Sequence, residues 1–231
     1  MAPSTGQIQF GNVYVTYLND PDFKTQRMKT VQHAQALAID WISNTLYRSE
    51  KKGNWILLMP LDAEIPENLI MASGRIIDLQ LDPLEGYVYW TTIHTVECSL
   101  LNGFYPAIVM EESSVSNRQF AGLTVDFEHM MFYWLVQDNF GVEIYQAELC
   151  KKRYCMRTSV SKIISIDLMR LSYPVLQYYS GRFAWISQAN TIYSLELANS
   201  QKTEINKGTN LTTLTTFTVV QPKPLPGPCY T

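Results

Sequence analysis

The stretch LDPLEGYVYW, residues 81–90, reads as a strand end, a tight turn holding Pro83 and Gly86, and a second strand carrying Tyr89 and Trp90. The same ten-residue pattern lies without a gap over IDWISNTLYR (39–48), VDFEHMMFYW (125–134) and LQYYSGRFAW (176–185). An apolar residue comes first, then Asp40, Asp82, Asp126 or Gln177, then turn residues, then an apolar or aromatic pair. Asp40 to Asp82 is 42 residues, Asp82 to Asp126 is 44, and Trp134 to Trp185 is 51. A second block, ILLMPL (56–61), VECSLL (96–101), IYQAEL (144–149) and IYSLEL (192–197), steps by 40, 48 and 48 residues and keeps a leucine in sixth place. Two blocks sharing one period make the decapeptide the building unit of the chain.

Each unit divides into short strands. In the best copy these are expected at 77–81, 87–92, 96–101 and 107–110, with Pro83, Gly86 and Asn102-Gly103 as breakers between them. VEIYQAEL and TIYSLEL alternate with period two, as half-buried strands do. No stretch has the length and periodicity of an amphipathic helix. Four strands per unit of 40–50 residues is the pattern of an all-β fold, a β-propeller of four-stranded blades. About five blades can be traced over residues 8–220. GNVYVTYL (11–18) reads as the second strand of a further repeat, and LTTLTTFTVV (211–220) as a first strand with no blade behind it. Joining the two would close a ring of five sheets and remove the exposed edges. Residues 221–231, QPKPLPGPCYT, are Pro-rich and read as an exit linker.

Composition narrows the function. The chain of 231 residues is 46% hydrophobic, 17% charged and 12% aromatic with a net charge of −3, which suits a globular domain and not a nucleic-acid binder. The N-terminal MAPSTGQIQF lacks the charged start and apolar core of a signal peptide. The longest apolar run, WILLMPL at 55–61, falls far short of the roughly 20 residues that span a bilayer. No membrane insertion is expected. None of the four cysteines, Cys98, Cys150, Cys155 and Cys229, has zinc-type spacing. Cys150 and Cys155 flank KKRY, a hairpin turn across which a disulfide can form, while Cys98 and Cys229 are candidates for a bond pinning the linker to the propeller. Asn210-Leu211-Thr212 is the one N-glycosylation sequon.

Catalytic signals are missing. The three histidines, His33, His94 and His129, form no H-x-x-x-H pair, and the chain has no nucleophile elbow, P-loop or G-x-G-x-x-G. NDPD at 19–22 reads as a solvated turn, and no cofactor is expected. One carboxylate per repeat is better explained by architecture than by catalysis. Asp40, Asp82 and Asp126 are therefore expected to accept backbone N–H groups of a neighbouring turn and tie one blade to the next. Trp41, Tyr47, Tyr89, Trp90, Tyr133, Trp134 and Trp185 are expected to fill the space between blades. Candidates for ligand contact are the loop aromatics Phe104, Tyr105, Tyr173, Tyr178 and Tyr179, with Arg182, because tyrosine and arginine suit interface centres.

The apolar-Asp, the turn and YVYWTT (87–92) resemble the YWTD repeat of LDL-receptor class B propellers, over roughly residues 8–220. FYWLVQDNFGVEIYQAEL (132–149) and FTVVQPKPLPGPC (217–229) are similar to propellers in the ectodomains of Ros/Sevenless receptor tyrosine kinases. The fourth motif residue is Thr92 and not Asp, and the copy at 176–185 carries Gln177 and Ala184 where Asp and Tyr are expected. The resemblance implies six blades and a non-catalytic extracellular module of a single-pass receptor. Its implied partners are protein ligands, membrane-bound or secreted, or adjacent fibronectin type III domains; kinase activity would belong to another part of the receptor. The alternatives are a lactonase or glycosidase type of propeller enzyme and an intracellular scaffold propeller.

Overall fold

A computed structural model describes residues 10–16, 25–32, 34–50, 53–61, 67–113, 117–150, 159–166, 176–179, 181–186, 192–197 and 201–204. Every regular element among them is a strand. None is a helix long and apolar enough to cross a membrane.

Strands β1 (Phe10–Thr16) and β2 (Thr25–Gln32) form a two-stranded antiparallel sheet. Four four-stranded antiparallel sheets follow, each a consecutive meander. Blade 1 contains β3 (Ala34–Asp40), β4 (Thr45–Glu50), β5 (Trp55–Pro60) and β6 (Glu67–Met71). Blade 2 contains β7 (Asp78–Asp82), β8 (Tyr87–Thr91), β9 (Thr95–Leu100) and β10 (Ala107–Glu111). In blade 3 these are β11 (Gln119–Asp126), β12 (Met131–Gln137), β13 (Val142–Glu148) and β14 (Ser161–Ile166). Blade 4 is built of β15 (Leu176–Tyr179), β16 (Arg182–Ile186), β17 (Ile192–Glu196) and β18 (Gln201–Glu204). The first strands β3, β7, β11 and β15 pack on one another in succession and form the inner ring. The expected β-propeller is thus the observed one, with four complete blades and one two-stranded sheet among the described residues. Segment 211–220 and the linker 221–231 lie outside the described residues.

The tyrosine-tryptophan dipeptide explains how blades stack. Successive strand residues face opposite sides of a sheet, so in β8 Tyr87 and Tyr89 enter the core shared with blade 3, while Val88 and Trp90 enter the core shared with blade 1. In β12 Phe132 and Trp134 face blade 2, and Tyr133 and Leu135 face blade 4. All five residues of β8 are buried. Tyr89 stacks on Phe132 at 5.2 Å between ring centres, and Tyr133 meets Tyr178 at 5.0 Å. Trp41 departs from the expectation: it sits in the β3–β4 turn, 45% exposed, and fills no blade interface.

Candidate functional site

The repeat residues form a lock that recurs in every complete blade. The carboxylate Oδ1 of Asp40 accepts the N–H groups of Ile42 and Ser43, that of Asp82 those of Leu84 and Glu85, and that of Asp126 those of Glu128 and His129. Each aspartate thereby closes its own hairpin turn as a short side chain folded back on the backbone can. The residue four places after the aspartate, or after Gln177, has positive φ: Asn44, Gly86, Met130 and Gly181. Its carbonyl accepts the N–H of the sixth-place leucine, from Leu61, Leu101, Leu149 and Leu197 in turn, at 2.9, 2.8, 2.8 and 3.0 Å. The two sequence blocks are therefore the two halves of one hydrogen-bonded corner.

Blade-to-blade bonds come mostly from other groups than the aspartates. The Tyr47 hydroxyl donates to the Leu101 carbonyl at 3.1 Å, and the Tyr89 hydroxyl accepts the Cys150 N–H at 3.1 Å. On the inner ring, Asp78 Oδ2 accepts the Leu123 N–H and Thr124 Oγ1 accepts the Tyr178 N–H, both at 2.9 Å. Asp126 also reaches forward, to Tyr178, whose hydroxyl is pushed up to about 12 by burial and then by that carboxylate. Asp78 is raised to about 7 by desolvation, against the lowering pull of the Leu123 and Leu79 N–H groups. His129, on the surface, is raised by its hydrogen bond to Asp126 and by that carboxylate's charge.

The candidate contact residues divide. Phe104 and Tyr105 are 65% and 60% exposed in the β9–β10 turn, at the end of the propeller that also carries the exposed Trp41 and Ile42. Tyr178 is the opposite case: it is a buried strand residue packed on Tyr133 and Phe183, because β15 pairs Gln177 with Ala184 and so runs two residues past the aspartate position of the other blades. Arg182 pairs with Glu196 at 3.2 Å. Tyr179 pairs with Arg182 in the β15–β16 ladder. Cys98 and Cys150 are buried in the core of blades 2 and 3, their sulfurs 3.7 Å apart. Tyr173, Cys155, Cys229, Asn210 and the NDPD turn lie outside the described residues, as does the side chain of Tyr179.

At the opposite end of blade 2 lies a cleft of about 1010 Å³ that the sequence did not announce. Its walls come from the loop before β7, the β8–β9 turn and strand β10. Thr92 Oγ1 accepts the N–H groups of His94 and Thr95, bracing the turn. Ser73 and Thr95 both donate hydroxyl protons to the buried Glu97 carboxylate. Beyond Glu112, Arg118 bonds Glu112 at 2.7 Å and Glu143 at 2.9 Å, fastening blade 2 to blade 3. Net of burial, which raises it, Glu143 is lowered by hydrogen bonds from Lys162 and Tyr145. Only Thr92, as the terminal residue of YVYWTT, carried a signal of this site; the rest are ordinary residues gathered from separate turns. Among the described residues no three His, Cys, Asp or Glu side chains gather as a metal site.

No family model matches the sequence. Proto-oncogene tyrosine-protein kinase ROS of Gallus gallus is 32% identical over 221 residues, covering 94% of this chain and 9% of the relative. The Homo sapiens protein of the same name is 29% identical over 222 residues, with the same coverage of 94% and 9%. Among solved structures, one in a nidogen/laminin complex superposes with a TM-score of 0.60 at 13% identity, covering 84% of this chain and 89% of that one. A putative 6-phosphogluconolactonase from Bacteroides uniformis superposes with a TM-score of 0.53 at 11% identity, covering 84% and 63%. These structures share the fold. The chain is a β-propeller homologous to a segment of the ROS receptor tyrosine kinases, and it spans 9% of their length.

Proposed function

We propose that this propeller is a non-catalytic extracellular module of a ROS-like cell-surface receptor. It binds a protein ligand, membrane-bound or secreted, or holds the ectodomain's shape against adjacent fibronectin type III domains. The observation that carries the reading is homology running through 94% of the chain to one short segment of a receptor kinase, combined with a cross-bonded framework whose most exposed aromatics, Trp41, Phe104, Tyr105 and Phe140, lie in turns. Rigid scaffolds with variable turns serve recognition. The relatives are kinases by name, and phosphoryl transfer belongs in this reading to the remainder of those proteins. Cys98 and Cys150 are each engaged in a disulfide, which supports an oxidising compartment. We take their partners to be Cys229 and Cys155 respectively, with a glycan on Asn210. Likeness to a putative lactonase at 11% identity carries the fold alone.

The test uses the chain secreted from eukaryotic cells. Non-reducing peptide mass spectrometry is expected to find Cys150 linked to Cys155 and a glycan at Asn210. The same protein, fused to an antibody constant region, is applied to an array of extracellular protein ectodomains and is expected to bind at least one. Free thiols in folded protein, or turnover of lactone or aryl-glycoside substrates, would overturn the reading.

A further inference from the structure

Strand β10 is the outermost strand of blade 2, and among the described residues β9 is its sole sheet neighbour. About half the backbone N–H and C=O groups of such a strand point away from the sheet, a template for another strand. Here that edge does not face open solvent alone: Ile108, Val109, Met110 and Glu111 of β10 form one wall of the cleft. Val109 and, across the cleft, Val160 before β14 pack into the core of blades 2 and 3, so the floor is apolar and fixed. Ile108 is 46% exposed, although it lies in the strand interior. A bulge between Ile108 and Met110 shortens the regular edge, which discourages sheet-to-sheet aggregation yet leaves room for a short peptide.

The polar groups at the end of the cleft are unbalanced. Glu97 lies behind Ser73 and Thr95, held by neutral donors, and no cation neutralises it among the described residues. Glu111 is exposed and forms no ion pair there either. Glu112 has its charge met by Arg118. Among the described lining residues Arg75 is the one lysine or arginine, against Glu97 and Glu111. In addition, Nδ1 of His94, a lining residue, is buried with no hydrogen-bond partner among the described residues. A free strand edge, an apolar floor and a negative end describe one occupant.

We propose that this cleft docks an extended segment of a protein partner, which adds alongside β10 and sets an apolar side chain on Ile108 and a lysine or arginine against Glu111. Backbone pairing supplies affinity and the alternating side-chain pockets supply specificity, the mode known as strand addition. The proposal rests on the reading of the chain as a protein-binding module and assigns it a site away from the exposed Trp41, Phe104 and Tyr105.

The experiment presents the full chain with a phage-displayed library of random twelve-residue peptides. Enriched peptides are expected to combine Lys or Arg with apolar residues at alternate positions, and a synthetic copy is expected to protect amides 107–111 from hydrogen exchange. The double variant Ile108→Asp, Glu111→Lys is expected to weaken that peptide about tenfold or more. Arg75→Glu is expected to strengthen it about threefold at low salt, which misfolding cannot imitate. No enrichment, enrichment of acidic peptides, equal binding to the double variant, or protection confined to the Trp41 and Phe104 turns would each overturn the proposal. A partner ectodomain that binds the double variant as well as it binds the parent sinks the cleft while leaving the module reading intact; peptide binding at β10 with no ectodomain bound does the reverse.

Discussion

The Tyr89 hydroxyl accepts a hydrogen bond from the backbone N–H of Cys150, 61 residues further along the chain, at 3.1 Å. Burial raises this phenol far above the ordinary tyrosine value, against the lowering pull of the Cys150 N–H. Tyr89 therefore joins blade 2 to blade 3 through its tip while its ring stacks on Phe132. Tyr89→Phe keeps the ring and orphans a buried N–H. It should cost about 1–3 kcal/mol, whereas Trp134→Ala should cost about 3–5 kcal/mol by opening the same core. Urea unfolding of the three proteins gives the order; equal losses would mean that the hydroxyl contributes nothing.

Asp78 has its pKa lifted to about 7 in the fold. A carboxyl raised above its unfolded value binds its proton more tightly when folded, so its contribution is fully favourable below about 3.9 and is lost as pH rises towards 7. Asp78→Asn keeps an acceptor for the Leu123 N–H and removes the titration. The variant is expected to gain on the parent by up to a few kcal/mol between pH 4 and pH 7, and to stay level above that. Asp78→Ala should lose about 1–3 kcal/mol at low pH, having no acceptor, and then gain on the parent between pH 4 and pH 7 as the asparagine variant does, remaining below that variant throughout. Unfolding free energies measured at half-unit pH steps distinguish these; a pH-independent difference for Asp78→Asn would contradict the assignment.

His129 donates to, or shares a proton with, Asp126 at 2.7 Å. Its imidazolium is favoured in the fold, so the stabilisation is present at low pH and fades as pH rises through the folded midpoint. An NMR titration should place that midpoint above about 6.5, and Asp126→Asn should bring it back. An unchanged midpoint in Asp126→Asn would rule the pairing out.

Asp82 closes its turn with two N–H acceptances. Asp82→Ala is expected to cost about 2 kcal/mol and Asp82→Asn about half of that, as for other side-chain caps. Denaturation at pH 7 checks both. A loss under about 0.5 kcal/mol for Asp82→Ala would leave the repeat aspartate without a structural role.

Gly86 has φ of +79° and nothing within 4 Å of where a Cβ would stand. Gly86→Ala thus reports backbone strain alone and should cost about 1 kcal/mol. Gly103→Ala, with a Leu69 carbonyl 3.1 Å from its Cβ position, should cost more. Thermal unfolding of the pair tests the contrast, and equal effects would remove it.

The repeat could be read from the chain because its parts are local. Aspartate, turn and tyrosine-tryptophan lie within ten residues and recur at a fixed period, so a β-propeller with Asp40, Asp82 and Asp126 in its corners was legible. Even the sixth-place leucine, whose purpose was not legible, marked a real hydrogen bond to the positive-φ residue of the corner. Register and exposure were less readable. Gln177 aligns with the aspartates, yet β15 continues past it and draws Tyr178 into the core; Trp41, grouped with the repeat aromatics expected between blades, stands exposed in a turn.

Composition and periodicity by themselves determined the strand class and the repeating blade, because a strand's alternation and a turn's chemistry are set by neighbours in sequence. Only the tertiary structure decided which hydroxyls and carboxylates bridge blades and that a cleft exists beside β10. Those features join Ser73, Glu97, Glu111 and Arg118, which lie on four separate turns and strands. Distance along the chain carries no information about such meetings; the stacking of one blade on the next creates them.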